Sequence, residues 1–381
     1  MSSKKRLLFV GNRWGLHFSS WIDHIDPSRW EIFYFNTDPD SQEQTKDALF
    51  SKQAFRKELQ FLKTDSHPNC AKALKSQIQQ LRPALIHSTL RAGDAGSLVL
   101  NAVTGIRGKL PPWIVTHTGS DFSDYCMKKE GETIKAILKS CQFMLCECTR
   151  DIPIARKLGF QGEIPGVLPW LGGYPSSLFQ LKAPPPSKRN LILLKGNQTI
   201  FGRANVGLKA LEMISKDLEG FQIAIHSPYV YSTLYAEFLN QKGPLKIEVL
   251  PRLPRQEHIK RYARARIAIG LSTSDGISMS LLEAMAFGAF PIQSNSACTQ
   301  GWIRPHQSGL LVPPENPKKV AKAILTALTD SQLVDRAFRE NRKMISQRLS
   351  FARVQNAIEE IYQRVVQVEA SPTKKRKRIL L

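Results

Sequence analysis

Asp275 and Glu283 are separated by seven residues in the stretch SDGISMSLLEAMAFGAFPIQS, Ser274 to Ser294. Between them the chain reads as a loop turning into a helix. IAIGLSTSDG has the form of a buried strand ending in polar, flexible residues. SMSLLEAMAFG follows with a cap at Ser278 or Ser280, an apolar face from Leu281, Leu282 and Met285, and a stop at Gly288. The start of such a helix presents unpaired backbone N–H groups and the positive end of its dipole, which suits an anion. Asp275 lies just before this start and Glu283 about one turn inside. The two carboxylates can therefore accept hydrogen bonds from hydroxyls on either side of a bound phosphate. A phosphate flanked by two polyols, as in a nucleotide sugar, fits that constellation.

Short apolar strands alternate with amphipathic stretches along the whole chain, the pattern of an α/β protein with parallel sheets. The first series runs RLLFVG, EIFYFN, ALIHST, WIVTHT, FMLCEC and GEIPGVLP, with helical stretches such as SQIQQLR between them. LKAPPPSKRN, residues 181–190, carries three consecutive prolines, which break helices and favour an extended spacer. A second series follows: LILLKG, a helix around NVGLKALEMISKDL, FQIAIHS, KIEVLP, HIKRYARA and IAIGLS. These patterns predict a first domain over 1–180, a linker over 181–190 and a second domain over 191–350. A C-terminal helix over 351–370 is expected to pack back towards the first domain, with a basic disordered tail over 371–381. Open parallel sheets bind ligands at the carboxyl ends of their strands, so the functional cleft is expected between two Rossmann-like domains, with strand-end loops facing it.

Composition narrows the classes. The 381 residues suit two domains, and 42% apolar with 23% charged residues is ordinary for a globular protein. No apolar run reaches the ~18 residues of a membrane span. The apolar stretch of MSSKKRLLFVG is too short for a signal peptide and reads as a first strand, so a cytoplasmic protein is expected. Six cysteines, at 70, 126, 141, 146, 148 and 298, lack ligand spacing for zinc and read as reduced structural thiols. The Asp-x-Asp in TDPD, Thr37 to Asp40, reads as a turn. The formal net charge of +22 points to partners rather than fold. Five of the positive charges lie in SPTKKRKRILL, which suits a localisation-like run, a lipid-surface anchor or a solvated end. A nucleic-acid-binding reading rests on charge alone, since no nucleic-acid motif is present and aromatic residues barely interleave the basic runs.

The acidic residue, seven residues and Glu, followed by AMAFGAFPIQSN and then SGLLVPPENP, resemble the C-terminal signature of glycosyltransferase family 4, retaining enzymes of the two-domain GT-B fold. The resemblance covers about Leu191 to Asn341 well and the first domain in outline. It implies that Glu283 binds the donor ribose and that Asp275, where the family has Glu, contacts the donor sugar. It implies a diphosphate contact from Arg203, which resembles the family's Lys position, while Asn197 stands where the family has Arg and Lys195 supplies charge nearby. Gly196, Gly276, Ile277 and Ser278 flank these positions as donor-binding residues. In the first domain THTGSDF resembles the family's cleft loop, so His117 and Asp121 are expected to act there, with Thr118 where a His is common. Gly15 in VGNRWG is expected near the diphosphate.

That resemblance implies transfer from a nucleotide-sugar donor without metal or cofactor. Cationic groups stabilise the leaving diphosphate, attack occurs on the same face, and the leaving phosphate takes the acceptor proton. No side-chain nucleophile is required. The implied acceptor is a glycan or lipid-linked saccharide of cell-surface polysaccharide biosynthesis, with peripheral contact to an anionic membrane face. Three other readings stay open: a basic nucleic-acid- or membrane-binding protein, a catalytically degenerate GT-B protein, and a nucleotide-sugar epimerase. A glycosidase uses an acid and a base in the same way, but no eightfold strand–helix repeat is present.

Overall fold

The structure, a computed structural model, describes residues 4–11, 20–37, 59–61, 69–91, 94–170, 172–180, 183–251, 253–370 and 379–380. The chain divides into two compact units, Met1–Gly173 with Phe351–Leu381, and Tyr174–Ser350. Among the described residues no helix is long and apolar enough to cross a membrane.

The first unit is built on six strands: β1 (Lys5–Gly11), β2 (Trp30–Asn36), β3 (Leu59–Phe61), β4 (Leu85–Thr89), β5 (Trp113–Thr116) and β6 (Phe143–Leu145). Its helices include α1 (Cys70–Leu81), α2 (Ala95–Val103), α3 (Asp124–Ser140) and α4 (Asp151–Lys157), and a two-residue strand β7 (Gly166–Val167) follows. The sheet order is β3-β2-β1-β4-β5-β6, parallel throughout. Leu7, Leu8, Phe9 and Val10 are fully buried, as expected of a strand covered on both faces, which is why RLLFVG reads as an apolar run rather than an alternation.

The second unit repeats the plan with β8 (Leu191–Lys195), α5 (Ala204–Met213), β9 (Gln222–His226), α6 (Val230–Lys242), β10 (Ile247–Val249), α7 (Arg255–Arg264) and β11 (Ala265–Gly270). It continues through α8 (Met279–Phe287), β12 (Phe290–Ser294), β13 (Leu310–Val312), α9 (Pro317–Thr329) and α10 (Ser331–Arg348). Its order, β10-β9-β8-β11-β12-β13, is again parallel. Helix α8 ends where the sequence stops it: Gly288 has φ +95°, and a Cβ there would also lie 2.5 Å from the Phe338 ring. Asn316 and Asp330 cap α9 and α10 by accepting from the backbone N–H groups of Lys319 and Leu333.

The segment expected as a linker is not a spacer where it is described. Ser187 binds Asp335 through both its N–H (2.9 Å) and its hydroxyl (2.6 Å). The buried Arg189 donates to the carbonyls of Pro184 and Ala265. These residues therefore pack as part of the second unit, whose first residue, Tyr174, bridges to Ser350 and donates its N–H to Leu349 O at 2.8 Å. The prolines break helix, as their chemistry requires, but side chains anchor the segment.

Helix α11 (Phe351–Ala370) belongs to the first unit. Its Tyr362 hydroxyl accepts from Trp21 Nε1 (2.9 Å) and lies 2.7 Å from Nδ1 of His87, whose Nε2 is 2.6 Å from Thr116 Oγ1. Burial pushes the His87 imidazole down to about 3, so it sits in the core as a neutral, doubly bonded ring. At the end of the chain, Ile379–Leu380 form a short strand paired in parallel with β7, which corrects the expectation of a wholly disordered tail: two apolar residues satisfy the open edge of β7. The rest of the tail, like Asp38 and Asp40 of the Asp-x-Asp, lies outside the described residues. Cys70, Cys126, Cys141 and Cys146 are buried free thiols, and burial pushes Cys141 up to about 12.

Candidate functional site

In the second unit the strand order reverses between β8 and β11, which place Lys195 and the 271–278 loop at the same sheet edge. Lys195 closes β8. Its Nζ lies 4.0 Å from Asp275 Oδ2 and donates to Ser278 Oγ at 3.5 Å. Both charged side chains keep about a quarter of their surface exposed, 26% and 24%. An ion pair this open is worth at most about 1 kcal/mol, so it orients Lys195 without committing its charge, and an arriving phosphate can take the place of Asp275.

Ser278 occupies the N-cap of α8, yet its side chain makes no capping hydrogen bond. Its hydroxyl faces Lys195 and the Ser280 hydroxyl, 2.9 Å away. Leu281 and Leu282 N–H both reach Ser278 O and close the first turn of α8, and a helix start carries unpaired N–H groups and the positive end of the dipole. The loop is held by β-type pairing of Asp275 with Ala297 and by the bond from Cys298 N–H to Gly276 O (3.0 Å). Ile277 is buried at 4% exposure and anchors the turn, while Glu283 lies further along α8 at 6% exposure.

Behind this edge runs a buried polar chain. Ser280 bonds the Tyr262 hydroxyl, which lies 3.2 Å from His226 Nε2, and His226 is the register partner of Lys195 across β8 and β9. Burial first, then His258 and Lys195, push His226 down to about 3. Burial and the neighbouring Glu283 carboxylate hold the Tyr262 phenol well above its usual range. Both groups are therefore neutral, and Lys195 is the positive charge at this point. Gly196 is clamped between its N–H bond to His226 O (2.8 Å) and bonds to its carbonyl from Ser232 Oγ (2.7 Å) and Tyr229 N–H (3.2 Å).

Arg203 sits at the start of α5, but its Nε binds Glu315 (2.9 Å) and its Nη1 donates to the carbonyls of Thr199, Ile200 and Gly202. These contacts make it a clamp on the 199–202 loop. Gly202 is required in that loop, since a Cβ would fall 2.2 Å from Asn197 O. Asn197 O accepts from Ala204 N–H (3.1 Å), and its buried Oδ1 has no hydrogen-bond partner among the described residues. The structure thus brings Lys195, Gly196, Asp275, Gly276, Ile277 and Ser278 to one edge, with Asn197 and Arg203 in the adjoining loop. Gly15 lies outside the described residues.

The expected cleft loop of the first unit, after β5, is built differently. His117 is buried at 1%, stacked on Phe122, with Nδ1 3.3 Å from the equally buried Asp151. Asp121 accepts from Thr118 N–H at 3.0 Å; burial raises its pKa, opposed by His117, Thr118 and Arg91. Glu147 was not expected. Its Oε2 accepts from Gly119 N–H (2.9 Å) and its Oε1 from Trp170 N–H (3.2 Å), tying the loop to a segment 51 residues further on. The signal was present as a charged residue inside the apolar run FMLCEC, since a buried carboxylate needs hydrogen-bond donors to meet it. Tyr262 and His226 were likewise missed, and Ser280 was read only as a possible cap, because their approach depends on how α7, α8 and β9 pack together. Among the described residues no group of three or more His, Cys, Asp or Glu could hold a metal ion.

Residues 185–344, less than half of the chain, match the family model described as glycosyl transferases group 1. No curated protein sequence matches the chain. Among solved structures, it is similar to sucrose-phosphate synthase from Thermosynechococcus elongatus, with TM-score 0.73 and 14% identity over 96% of this chain and 100% of that one. It is also similar to HepE from Anabaena in complex with UDP-glucose, with TM-score 0.71 and 12% identity over 96% and 99%. A third structure, α,α-trehalose 6-phosphate synthase from Burkholderia multivorans, gives TM-score 0.69 and 11% identity over 97% and 100%. At these identities the likeness establishes the fold, which is GT-B with two parallel-sheet Rossmann-like domains.

Proposed function

We propose that the protein is a glycosyltransferase of the family 4 type, which moves a sugar from a nucleotide-sugar donor to a hydroxyl acceptor with retention and without metal. The observation that carries this reading is the convergence of Lys195, Asp275 and Ser278 at the start of α8, where the strand order of the second sheet reverses. Ligands of open parallel sheets bind at such reversals. The match of residues 185–344 to group 1 glycosyl transferases, and the UDP-glucose of the HepE structure, support a nucleotide-sugar donor.

In this reading Lys195, the α8 N-terminus and the Ser278 hydroxyl hold the donor diphosphate. Asp275 accepts from a sugar hydroxyl and Glu283 from the ribose. A helix end contributes about 0.3–1 kcal/mol to anion stabilisation, and a hydrogen bond from a charged group about 1.5–3 kcal/mol. Lys195 therefore outweighs the dipole as charge builds on the leaving diphosphate. Arg203 acts by shaping the 199–202 loop. In the first unit the bonds of Glu147 and Asp121 fix the backbone of Thr118 and Gly119, and with it Ser120, as a rigid platform for the acceptor. His117, buried beneath, steadies that platform. The +22 charge supports an acceptor that is anionic, or lipid-linked at an anionic membrane face; flotation with anionic rather than neutral vesicles is the expected behaviour.

The test is turnover of UDP-, GDP- and ADP-sugars in EDTA, reading nucleoside diphosphate release and the anomeric configuration of the product by NMR. One donor class should be consumed without metal, with its anomeric configuration kept. Absence of release from every donor, or an inverted product, would overturn the proposal.

A further inference from the structure

A second concavity lies at the opposite edge of the first sheet. It occupies about 620 Å³ and is bounded by the segments that lead into β4 and β5, residues 82–84 and 110–112, with Val366 of α11 also lining it. Because β4 and β5 are parallel, this is the amino edge of the sheet, whereas the 117–121 loop leaves the carboxyl edge. The strands between them, about 3.3 Å per residue, keep the two places apart.

The lining has a consistent chemistry. Arg82, Arg107 and Lys109 supply three cations, Gln79 is the one uncharged polar side chain, and no carboxylate contributes. Arg82 and Arg107 form no ion pair among the described residues. One more cation borders the rim, Lys75, which donates to Gly105 O (3.2 Å), whereas Arg6, at Leu81 O, is paired with Glu31. Arg82 and Arg107, with no carboxylate in the lining, repel one another unless an anion joins them.

The rest of the wall is Ile78, Ile106, Leu110 and the prolines Pro83, Pro111 and Pro112. Prolines carry no N–H, and nearby backbone groups are already used, Ala84 N–H on Arg6 O (2.8 Å) and Pro112 O by Ile86 N–H (2.9 Å). The wall is therefore apolar and, being proline-built, preformed. No aromatic ring lines it to stack a nucleobase, and no carboxylate accepts from sugar hydroxyls. The chain's own KKRKR tail has the wrong sign to enter. The volume lies in the range of small-molecule sites, about 300–1,000 Å³.

We propose that this cleft binds a phosphorylated amphiphile: a phosphate monoester seated between Arg82 and Arg107, with its apolar portion against the proline wall. A guanidinium pairs with phosphate in bidentate fashion, and the apolar wall distinguishes such a ligand from a free inorganic anion. The site is independent of the donor site proposed above.

The test titrates the full chain with dihexanoyl phosphatidic acid below its micelle concentration, with inorganic phosphate, and with vesicles containing dioleoyl phosphatidic acid. The variant combines Arg82→Asn with Arg107→Gln; asparagine is chosen because residue 82 has φ +45°. The short-chain lipid should bind saturably at one site, at least about tenfold more tightly than inorganic phosphate. The variant should lose at least about tenfold of that affinity while its melting temperature and nucleotide binding stay unchanged. Vesicle binding with the same dependence on Arg82 and Arg107 identifies a membrane lipid as the source. Vesicle binding that is absent, while the monomer binds, identifies a free phosphoester. No saturable binding, equal affinity for inorganic phosphate, or an unaltered affinity in the variant would overturn the proposal.

Discussion

The loops at the carboxyl edges of the two sheets carry similar residue types put to opposite use. After β5, the carboxylates of Asp121 and Glu147 turn inward onto backbone N–H groups, and His117 is buried against Asp151. After β8 and β11, Lys195 and Asp275 each keep about a quarter of their side-chain surface exposed at a 4.0 Å separation, and Lys195 reaches the buried Ser278 hydroxyl only at 3.5 Å. Polar groups consumed by their own backbone make a shape, whereas groups held at 3.5–4.0 Å with exposed surface keep capacity for a ligand. The first loop is thus a rigid surface and the second a charged socket, although the motifs THTGSDF and SDGISMSLLE look equally chemical as text.

The widest effect tests where the two units are alike. His87 in one and His226 in the other are each pushed down to about 3 by burial, against an ordinary value of 6.5. A histidine whose folded pKa lies below its unfolded value contributes its full stability above pH 6.5 and loses it as pH falls towards 3. By pH 4 each should cost about 3 kcal/mol. Urea unfolding between pH 7 and 4 should show this loss, and His226→Gln should flatten the curve for the second unit alone. An unchanged slope in that variant would mean that His226 is not buried as a neutral ring.

Next in size is Asp275→Ala. It should lower turnover by about 10²–10³, the scale of losing one polar contact in the transition state, while binding of the nucleotide without its sugar changes less than about threefold. Equal losses in both would move Asp275 from the sugar to the diphosphate and blur the division of roles within the socket.

A smaller loss is expected for Glu147→Gln. The amide can still accept from one N–H but leaves the other facing a donor, at about 1–3 kcal/mol. Thermal unfolding should register this in the first unit, acceptor KM should rise, and nucleotide affinity should hold. A fall in nucleotide affinity would contradict the separation of the two loops.

Local pattern made the strands legible, because parallel strands covered on both faces are written as apolar runs such as RLLFVG and IAIGLS. The stop of α8 was legible for the same reason, since Gly288 acts on its own turn, and its start fell at Ser278, one of the two serines expected, although that side chain makes no capping bond. What stayed hidden depends on distance along the chain. Arg203 reads as a free cation until Glu315, 112 residues away, is seen to hold it. Lys195 and His226 become neighbours only through strand register, and Glu147 reaches Gly119 across 28 positions. The prolines of residues 183–190 signal broken helix correctly, but not that Asp335 would anchor Ser187. The basic cleft left no motif, since its cations come from two separate strand entrances.

The socket in the second unit is tested most directly by calorimetric titration of UDP, GDP and ADP, in EDTA, into the wild type, Lys195→Ala and Glu147→Gln. One nucleotide should bind the wild type, Lys195→Ala should weaken it by about tenfold or more, consistent with one charge-assisted contact, and Glu147→Gln should leave it unchanged. Binding that ignores Lys195, or no binding of any nucleotide, would contradict a donor site at the junction of β8 and α8.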